Sequence, residues 1–375
     1  MKERKVLKSR ICMLLCVHQV FDTRVFHKEA KTLQQAGYEV TIIGPHKKNE
    51  AVDGIKIKSV PKPRNRLAMI ILTPCRVFRN ALKEKAEIYH FHDLEFILTG
   101  LILKVIGKRV IYDVHEDYPK DIMSKYYIPK LLRRFISFFV NIVEKFATHY
   151  FDAIIPVTDD IASQFRKHKR VVVIKNYPLI NEFLPKNEKK KTDEFRVIYI
   201  GLLSRIRGIT QMVQAIEYLN SVGKVKLILG GKFDPAPYEK EIRNLKGFEK
   251  VEYLGWVEYR RVPEYLSQAD IGLICFHPTT NHLTALPNKL FECMAAGLPV
   301  IASNFPLWED IVEGNKCGIC IDPLNPKEIA EVIKHLIENH ELRNRMGENG
   351  RRAVLEKYNW KIESQKLLHL YNSLS

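Results

Sequence analysis

Three times along this chain an amphipathic stretch stops at a glycine and an apolar run starts at once. Residues 30–36, Gly37 and 40–43 form the first instance; 211–222, Gly223 and 225–229 the second; 291–296, Gly297 and 299–302 the third. Glycine accepts the left-handed conformation in which helices commonly end, and a short β-branched run after it starts a strand. Repetition of that joint predicts helices alternating with parallel strands, the pattern of a doubly wound α/β sheet.

Strands are expected at 11–17, 40–43, 88–91, 109–114, 153–157 and 171–174 in the first half, with helices between most of them. The polar, Lys-rich stretch 185–193 interrupts the series, and a second one opens at 195–200 and continues through 225–229, 251–254, 271–275, 300–302 and 318–321. A chain of 375 residues has room for two hydrophobic cores. The expected division is 1–188 and 189–357, with the helical pattern at 358–375 returning to the first domain. Open α/β sheets bind ligands outside the carboxyl ends of their strands, so the active site is expected in a cleft between the two domains.

Hydrophobic residues make up 46% and charged residues 27% with no low-complexity tract, so the chain is expected to fold throughout. The basic start, residues 1–10, precedes an apolar run of only 11–17 and lacks a small-residue cleavage site, which predicts a cytoplasmic protein. Seven cysteines are then expected as reduced, mostly buried thiols. Cys317 and Cys320 have no second pair or nearby histidine, so no metal is expected there.

The formal charge of +17 attracts polyanions: nucleic acid, anionic lipid or diphosphate-linked substrates. No nucleic-acid-binding module is visible, and nucleic acid is not expected as a partner. Basic residues concentrate in 1–10, 61–85 and 130–145. The last of these is very apolar yet carries Arg133, Arg134 and Lys145, which fits either an interfacial helix or one packed between neighbours. Apolar residues nearly surround it, which favours burial. With Arg64, Arg66, Arg76, Arg79, Lys83 and Lys85 it offers a surface for anionic head groups, hence peripheral attachment to the inner membrane face and a lipid-linked acceptor.

The most informative segment, 286–303, reads as a helix opened by Pro287 and closed by Gly297 before a buried strand. Asn288, Lys289 and Glu292 share one face of its first turns, at the positive end of the helix where phosphate oxygens bind. Glu292, one turn in, suits ribose hydroxyls better than phosphate. A solvated face with a Lys–Glu pair is the plainer alternative. A second segment, 199–208, runs from a strand through Gly201 into a turn with Arg205 and Arg207, whose guanidinium forks match phosphate. Two surface arginines would give the same pattern.

Strand ends at 89–93 and 112–117 carry His90, His92, Asp93, His115 and Glu116. Three histidines raise a metal reading, but no i, i+4 pair or closed ligand set is visible, so no metal is expected. His115 is read as a donor to a substrate hydroxyl or phosphate; His90 and His92 read equally well as loop residues satisfied by backbone.

From about Ile11 to its end the chain resembles the large retaining glycosyltransferase family, of the family-four type, that includes bacterial mannosyl-, glucosyl- and N-acetylglucosaminyltransferases. The resemblance rests first on 287–303, then on 251–256 with 265–270, and Asp22-Thr-Arg24 resembles a subgroup. It implies the GT-B fold, two Rossmann-like domains facing across a cleft. It also implies transfer from a nucleotide sugar, UDP-linked in preference to GDP-linked, with retention of configuration and no metal or cofactor. The acceptor is a glycan or lipid-linked sugar of cell-envelope polysaccharide.

Under this resemblance Glu292 is the second Glu of the paired-Glu motif, and the first falls on Thr284. The Arg and Lys that clamp the diphosphate fall on Leu202 and Arg207, so Arg205 and Lys289 are expected to replace the lost charge. The expected catalytic groups are thus His115, Arg205, Arg207 and Lys289. Gly201, Gly231, Thr284, Asn288, Leu290 and Glu292 are expected to hold the donor, and Asp22, Arg24, His92, Asp93 and Glu116 to lie on the acceptor side. Competing readings are another GT-B enzyme, such as an epimerase, or a noncatalytic or partner-dependent subunit. Nothing in the sequence sets the oligomeric state.

Overall fold

In the computed structural model, which describes residues 9–63, 65, 68–124, 128–184, 193–219 and 223–374, the chain forms two compact units. One comprises Met1–Asn176 with Lys361–Ser375, the other Tyr177–Trp360.

Among the described residues the first unit holds seven strands: β1 (Arg10–Leu14), β2 (Glu39–Pro45), β3 (Glu50–Val52), β4 (Ile55–Val60), β5 (Ile88–Phe91), β6 (Arg109–Val114) and β7 (Ala153–Pro156). Their order is β3-β4-β2-β1-β5-β6-β7, and every pair is parallel except β3 with β4. Helices α1 (Lys31–Gln35), α2 (Thr73–Glu84), α3 (Ile97–Val105), α4 (Tyr118–Ser124), α5 (Lys130–Thr148) and α6 (Asp159–Ser163) connect them. Turns of π-helix at Thr23–Ala30 and Ala68–Leu72 lead into α1 and α2.

Crossovers between parallel strands are right-handed. The steps β4 to β5, β5 to β6 and β6 to β7 all run the same way across the sheet, so α2, α3 and α5 cover one face. The step β1 to β2 runs the other way and puts Thr23–Gln35 on the opposite face. Strand alternation then sorts the side chains. Tyr89, Phe91, Tyr112 and Val114 share a core with Val77, Phe96, Leu103 and Ala147. His90 and Asp113 point to the opposite face, where the Tyr371 hydroxyl of the C-terminal helix lies 2.8 Å from His90 Nδ1.

The second unit holds an all-parallel sheet ordered β10-β9-β8-β11-β12-β13. Its strands are β8 (Glu194–Ile200), β9 (Lys224–Gly230), β10 (Val251–Gly255), β11 (Ile271–Ile274), β12 (Val300–Ser303) and β13 (Gly318–Ile321). Around it lie α7 (Ile180–Phe183), α8 (Ile209–Glu217), α9 (Tyr238–Arg243), α10 (Val262–Ser267), α11 (Thr280–Thr284), α12 (Asn288–Ala296), α13 (Pro306–Val312), α14 (Pro326–Glu338) and α15 (His340–Glu356). Strand order reverses between β8 and β11, the place where such sheets leave a ligand crevice.

The expected αβ joints form where the glycines stand: Gly37 has φ 94° and Gly297 closes α12 with φ 77°. Other expectations change. The run 171–174 adds one bridge, Val171 to Ile154, instead of a strand. The β3–β4 hairpin was not foreseen, although Asp53-Gly54 supplies the two positive φ angles of a tight hairpin turn. The units divide after Asn176 and not at 188, because Tyr177 packs on Phe291 and Tyr358, ring centroids 4.7 and 5.4 Å away. The linker expected at 185–193 lies almost wholly outside the described residues. The largest change concerns α5, expected to be packed between neighbours: it buries only Glu144, Ala147 and Thr148.

Candidate functional site

At the reversal point of the second sheet, the loops after β8 and β9 sit back to back. Gly201 N–H donates to Gly230 O at 2.8 Å, Leu203 N–H to Lys232 O at 2.9 Å, and Tyr253 Oη to Gly231 O at 3.1 Å. A β-carbon on Gly231 would stand 1.7 Å from Gly201 O, so only glycine permits this approach. A β-carbon on Gly208 would likewise strike Cys275 O at 1.9 Å, which fixes the 3-10 turn Arg205–Arg207 against the end of β11.

Two of the three cations expected to work together, Lys289 and Arg207, meet here. Lys289, half-buried in the first turn of α12, lays its chain over Gly201. Burial lowers its pKa, Glu292 opposes that shift, and the nearby Arg207 charge adds to it. Arg207 stacks its guanidinium 4.3 Å from the Phe276 ring centroid. Its Nε is buried and has no hydrogen-bond partner among the described residues. A buried donor left open beside a second cation suits an anion that bonds both. Asn288 opens α12 behind Pro287, and among the described residues no side chain caps that helix, so its first N–H groups are also open to an anion. Trp308 Nε1–H holds the preceding loop through Ala285 O at 2.8 Å.

Arg205 does not join this group. Its guanidinium pairs with Glu241 and lies 5.1 Å from the Tyr238 ring, on an exposed surface. Leu290 is fully buried in the core of the unit, so its side chain packs and does not face a ligand. Thr284 ends α11 half-buried, and Leu202 is exposed at the turn after β8.

The first unit gathers a second polar cluster at the carboxyl ends of β1, β5 and β6. Asp93 accepts from Cys16 N–H at 2.6 Å and Val17 N–H at 3.0 Å, and its other oxygen lies 2.6 Å from His18 Nδ1. Burial alone would raise its pKa, but His18 and the two amides hold it below the ordinary carboxylate range. Burial would lower the pKa of His18; the Asp93 hydrogen bond and charge outweigh it and raise the ring to about 9. His115, with its ring centroid 4.6 Å from that of His18, goes the other way: burial pushes it down to about 4 against the pull of Asp113. A cationic and a neutral imidazole thus stand side by side. Glu116, one residue on from His115, is exposed.

Behind them Arg24 is 1% exposed and donates from Nε and Nη2 to Asp113 Oδ2 at 3.0 and 2.9 Å, and from Nη1 to Ile174 O at 2.9 Å. Its Nε also lies 2.9 Å from Glu29 Oε1. Asp22 caps the helical turn ahead of it, accepting from Arg24 N–H at 2.8 Å. Asp22 and Arg24, expected to face an acceptor, therefore build the fold beneath the histidines; His92, fully buried 3.3 Å from His115 Nε2, does the same. Ligand atoms of Glu29, His90, His92 and Asp113 lie within 4.8 Å of one another, as a metal site would require. Arg24 already occupies both Asp113 oxygens and supplies the positive charge there. Burial and the Asp113 charge raise the Glu29 pKa well above the ordinary carboxylate value, against the pull of Arg24.

His18, Glu29 and Asp113 were missed from sequence. His18 carried a usable signal, a polar residue just past a strand's carboxyl end, and Asp113 stood inside the strand-end run 112–117 already singled out; Glu29 carried none, since it gains meaning only from Arg24.

Two α/β units, one with paired cations at its strand-order reversal, define a chain of the doubly wound class, whose sheets take ligands at that reversal. Comparison with known proteins narrows this. The family description "Glycosyltransferase Family 4" matches residues 23–177 and "Glycosyl transferases group 1" matches 180–353. The capsular polysaccharide biosynthesis glycosyltransferase CapM of Staphylococcus aureus is 25% identical over 371 residues, covering 94% of this chain and 90% of its own. Matches to other curated relatives span about half of their length. Among solved structures, sucrose-phosphate synthase of Thermosynechococcus elongatus superposes with a TM-score of 0.79 at 18% identity, over 98% of this chain and 99% of that one. Anabaena Alr3699/HepE, solved in complex with UDP-glucose, gives 0.72 at 15% identity over 98% and 100%. The chain belongs to the family-4-type glycosyltransferases and has the Rossmann-like units of the GT-B fold.

Proposed function

We propose that this protein moves a sugar from a nucleotide-sugar donor to a glycan or lipid-linked acceptor in cell-envelope polysaccharide synthesis. The observation that carries the reading is the Arg207–Lys289 pair at Gly201, with its open buried donor and the uncapped start of α12. These groups suit a diphosphate, and Glu292 one turn along α12 suits the ribose hydroxyls. The name of CapM supports an envelope product, and the UDP-glucose bound to HepE supports a UDP-linked donor ahead of a GDP-linked one.

The chemistry follows from charge. As the bond between the anomeric carbon and the diphosphate oxygen breaks, negative charge grows on the leaving group, where Arg207, Lys289 and the α12 amides stabilise it. The acceptor oxygen forms its bond on the same face, and its proton passes to the departing diphosphate. Configuration is retained, no metal is needed, and the family resemblance assigns neutral His115 to the donor sugar.

A thermal-shift panel of UDP, GDP, ADP and their sugar conjugates in chelator tests this reading, since a ligand of the folded state raises Tm. One nucleotide should raise Tm, UDP first, and Glu292→Ala should abolish the rise. Failure of every nucleotide would overturn the donor site. Binding without turnover would favour a partner-dependent subunit, the reading to which the Thr284 and Leu202 departures point.

A further inference from the structure

The apolar face of α5 points outward. Leu131, Phe135, Phe138, Phe139, Ile142 and Phe146 recur every three or four residues and are 48–83% exposed. They form one stripe along a helix about 28 Å long. The side turned to the protein holds Glu144, Ala147 and Thr148, with Glu144 accepting from Tyr112 Oη at 2.9 Å. The helix is anchored by Glu144, Ala147, Thr148 and the partly buried Val143, while its phenylalanines face outward.

The stripe has neighbours. The adjacent α3 exposes Leu98, Ile102, Val105 and Ile106, again on one face, with Val105 at 87%. Beside α3 stands α2, and the turn that leads into α2 exposes Ile70, Ile71 and Leu72. All three elements lie on the same side of the first sheet. Single exposed apolar residues are ordinary, but a surface this broad marks a binding face.

Charge identifies the occupant. Arg134 and Lys145 stand along one edge of the α5 stripe, and Lys130 opens it. Arg76, Arg79, Lys83 and Lys85 are exposed on and after α2. An apolar stripe edged by cations whose long stems reach past it fits the boundary between acyl chains and anionic head groups. Among the described residues no helix is long and apolar enough to cross a membrane, so α5 would lie in the plane of the surface. Arg64 and Arg66, expected on the same face, lie outside the described residues.

We infer that the α2–α3–α5 face of the first unit docks on an anionic phospholipid bilayer, with α5 sunk to the depth of its phenylalanines. This holds whether or not the second unit transfers sugar, because the test involves no donor. The full-length chain should sediment with phosphatidylcholine vesicles containing phosphatidylglycerol and far less with phosphatidylcholine alone. Arg134→Gln with Lys145→Gln should weaken partition by roughly tenfold, and added salt should weaken it further. Phe135→Asp with Phe138→Asp should abolish it while leaving the circular-dichroism melt unchanged, since both rings are exposed. No sedimentation with the anionic vesicles would overturn the inference. So would a concentration-dependent dimer, seen by light scattering, that the aspartate pair converts to monomer, because the face would then be a contact between two copies.

Discussion

Lys289 lies over Gly201 so closely that a β-carbon on the glycine would stand 2.0 Å from Lys289 Cε and 2.7 Å from its Nζ. The glycine is thus what lets the ammonium sit at the end of β8. Gly201→Ala should push Lys289 aside and loosen nucleotide binding by about tenfold to a hundredfold, the loss of one charge-assisted hydrogen bond. Calorimetric titration of UDP checks this. Affinity within twofold of the unaltered chain would remove Lys289 from the donor site.

The two arginines of the turn should separate in the same titration. Arg207 carries the open buried Nε, whereas Arg205 is spent on Glu241 at the surface. Arg207→Ala should therefore weaken UDP binding by at least about tenfold, and Arg205→Ala should leave it nearly unchanged. Equal losses from both would show that the Arg205–Glu241 pair opens to meet the ligand.

What was legible in the sequence was whatever depends on neighbours in the chain. Gly37 and Gly297 announced helix ends because a positive φ is a local need, and Asn288, Lys289 and Glu292 shared a face by spacing alone. Partners distant in sequence were hidden. Arg24 reads as a surface contact until Asp113, 89 positions on, takes its Nε and Nη2. The outward turn of α5 was hidden too, because periodicity names an apolar face without saying what it meets. The packing of Glu144 under Tyr112, with Val143 and Ala147 on the core, turns the phenylalanines to solvent.

Asp113 and Glu29 share one guanidinium but should differ in charge. Arg24 pulls Asp113 well below the usual carboxylate range against its burial, while burial and the Asp113 charge push Glu29 well above it. Glu29→Gln exchanges that acid for an amide of the same shape and should change stability by no more than about 1 kcal/mol. Asp113→Asn strands a buried Arg24 and should cost about 3–5 kcal/mol. Urea unfolding measures both, and equal losses would refute the assigned charges.

His18 and His115 should titrate in opposite directions although their ring centroids are 4.6 Å apart. An unfolded histidine titrates near pH 6.5, roughly. His18 keeps its proton to about 9, so the stability it gives is complete below the unfolded value and is lost as pH rises from there through about 9. His115 is held to about 4, so it stays neutral as the unfolded chain takes up a proton, and its contribution falls as pH drops from the unfolded value through about 4. His18→Gln should therefore flatten the alkaline side of the stability profile. The same change removes a positive charge that holds His115 down, so the His115 resonance should titrate at higher pH in the variant. Unfolding measured across pH and proton NMR of the ring resonances test the two halves separately. An unchanged alkaline slope in His18→Gln would mean that His18 is neutral in the folded protein and that Asp93 holds it by a neutral hydrogen bond alone.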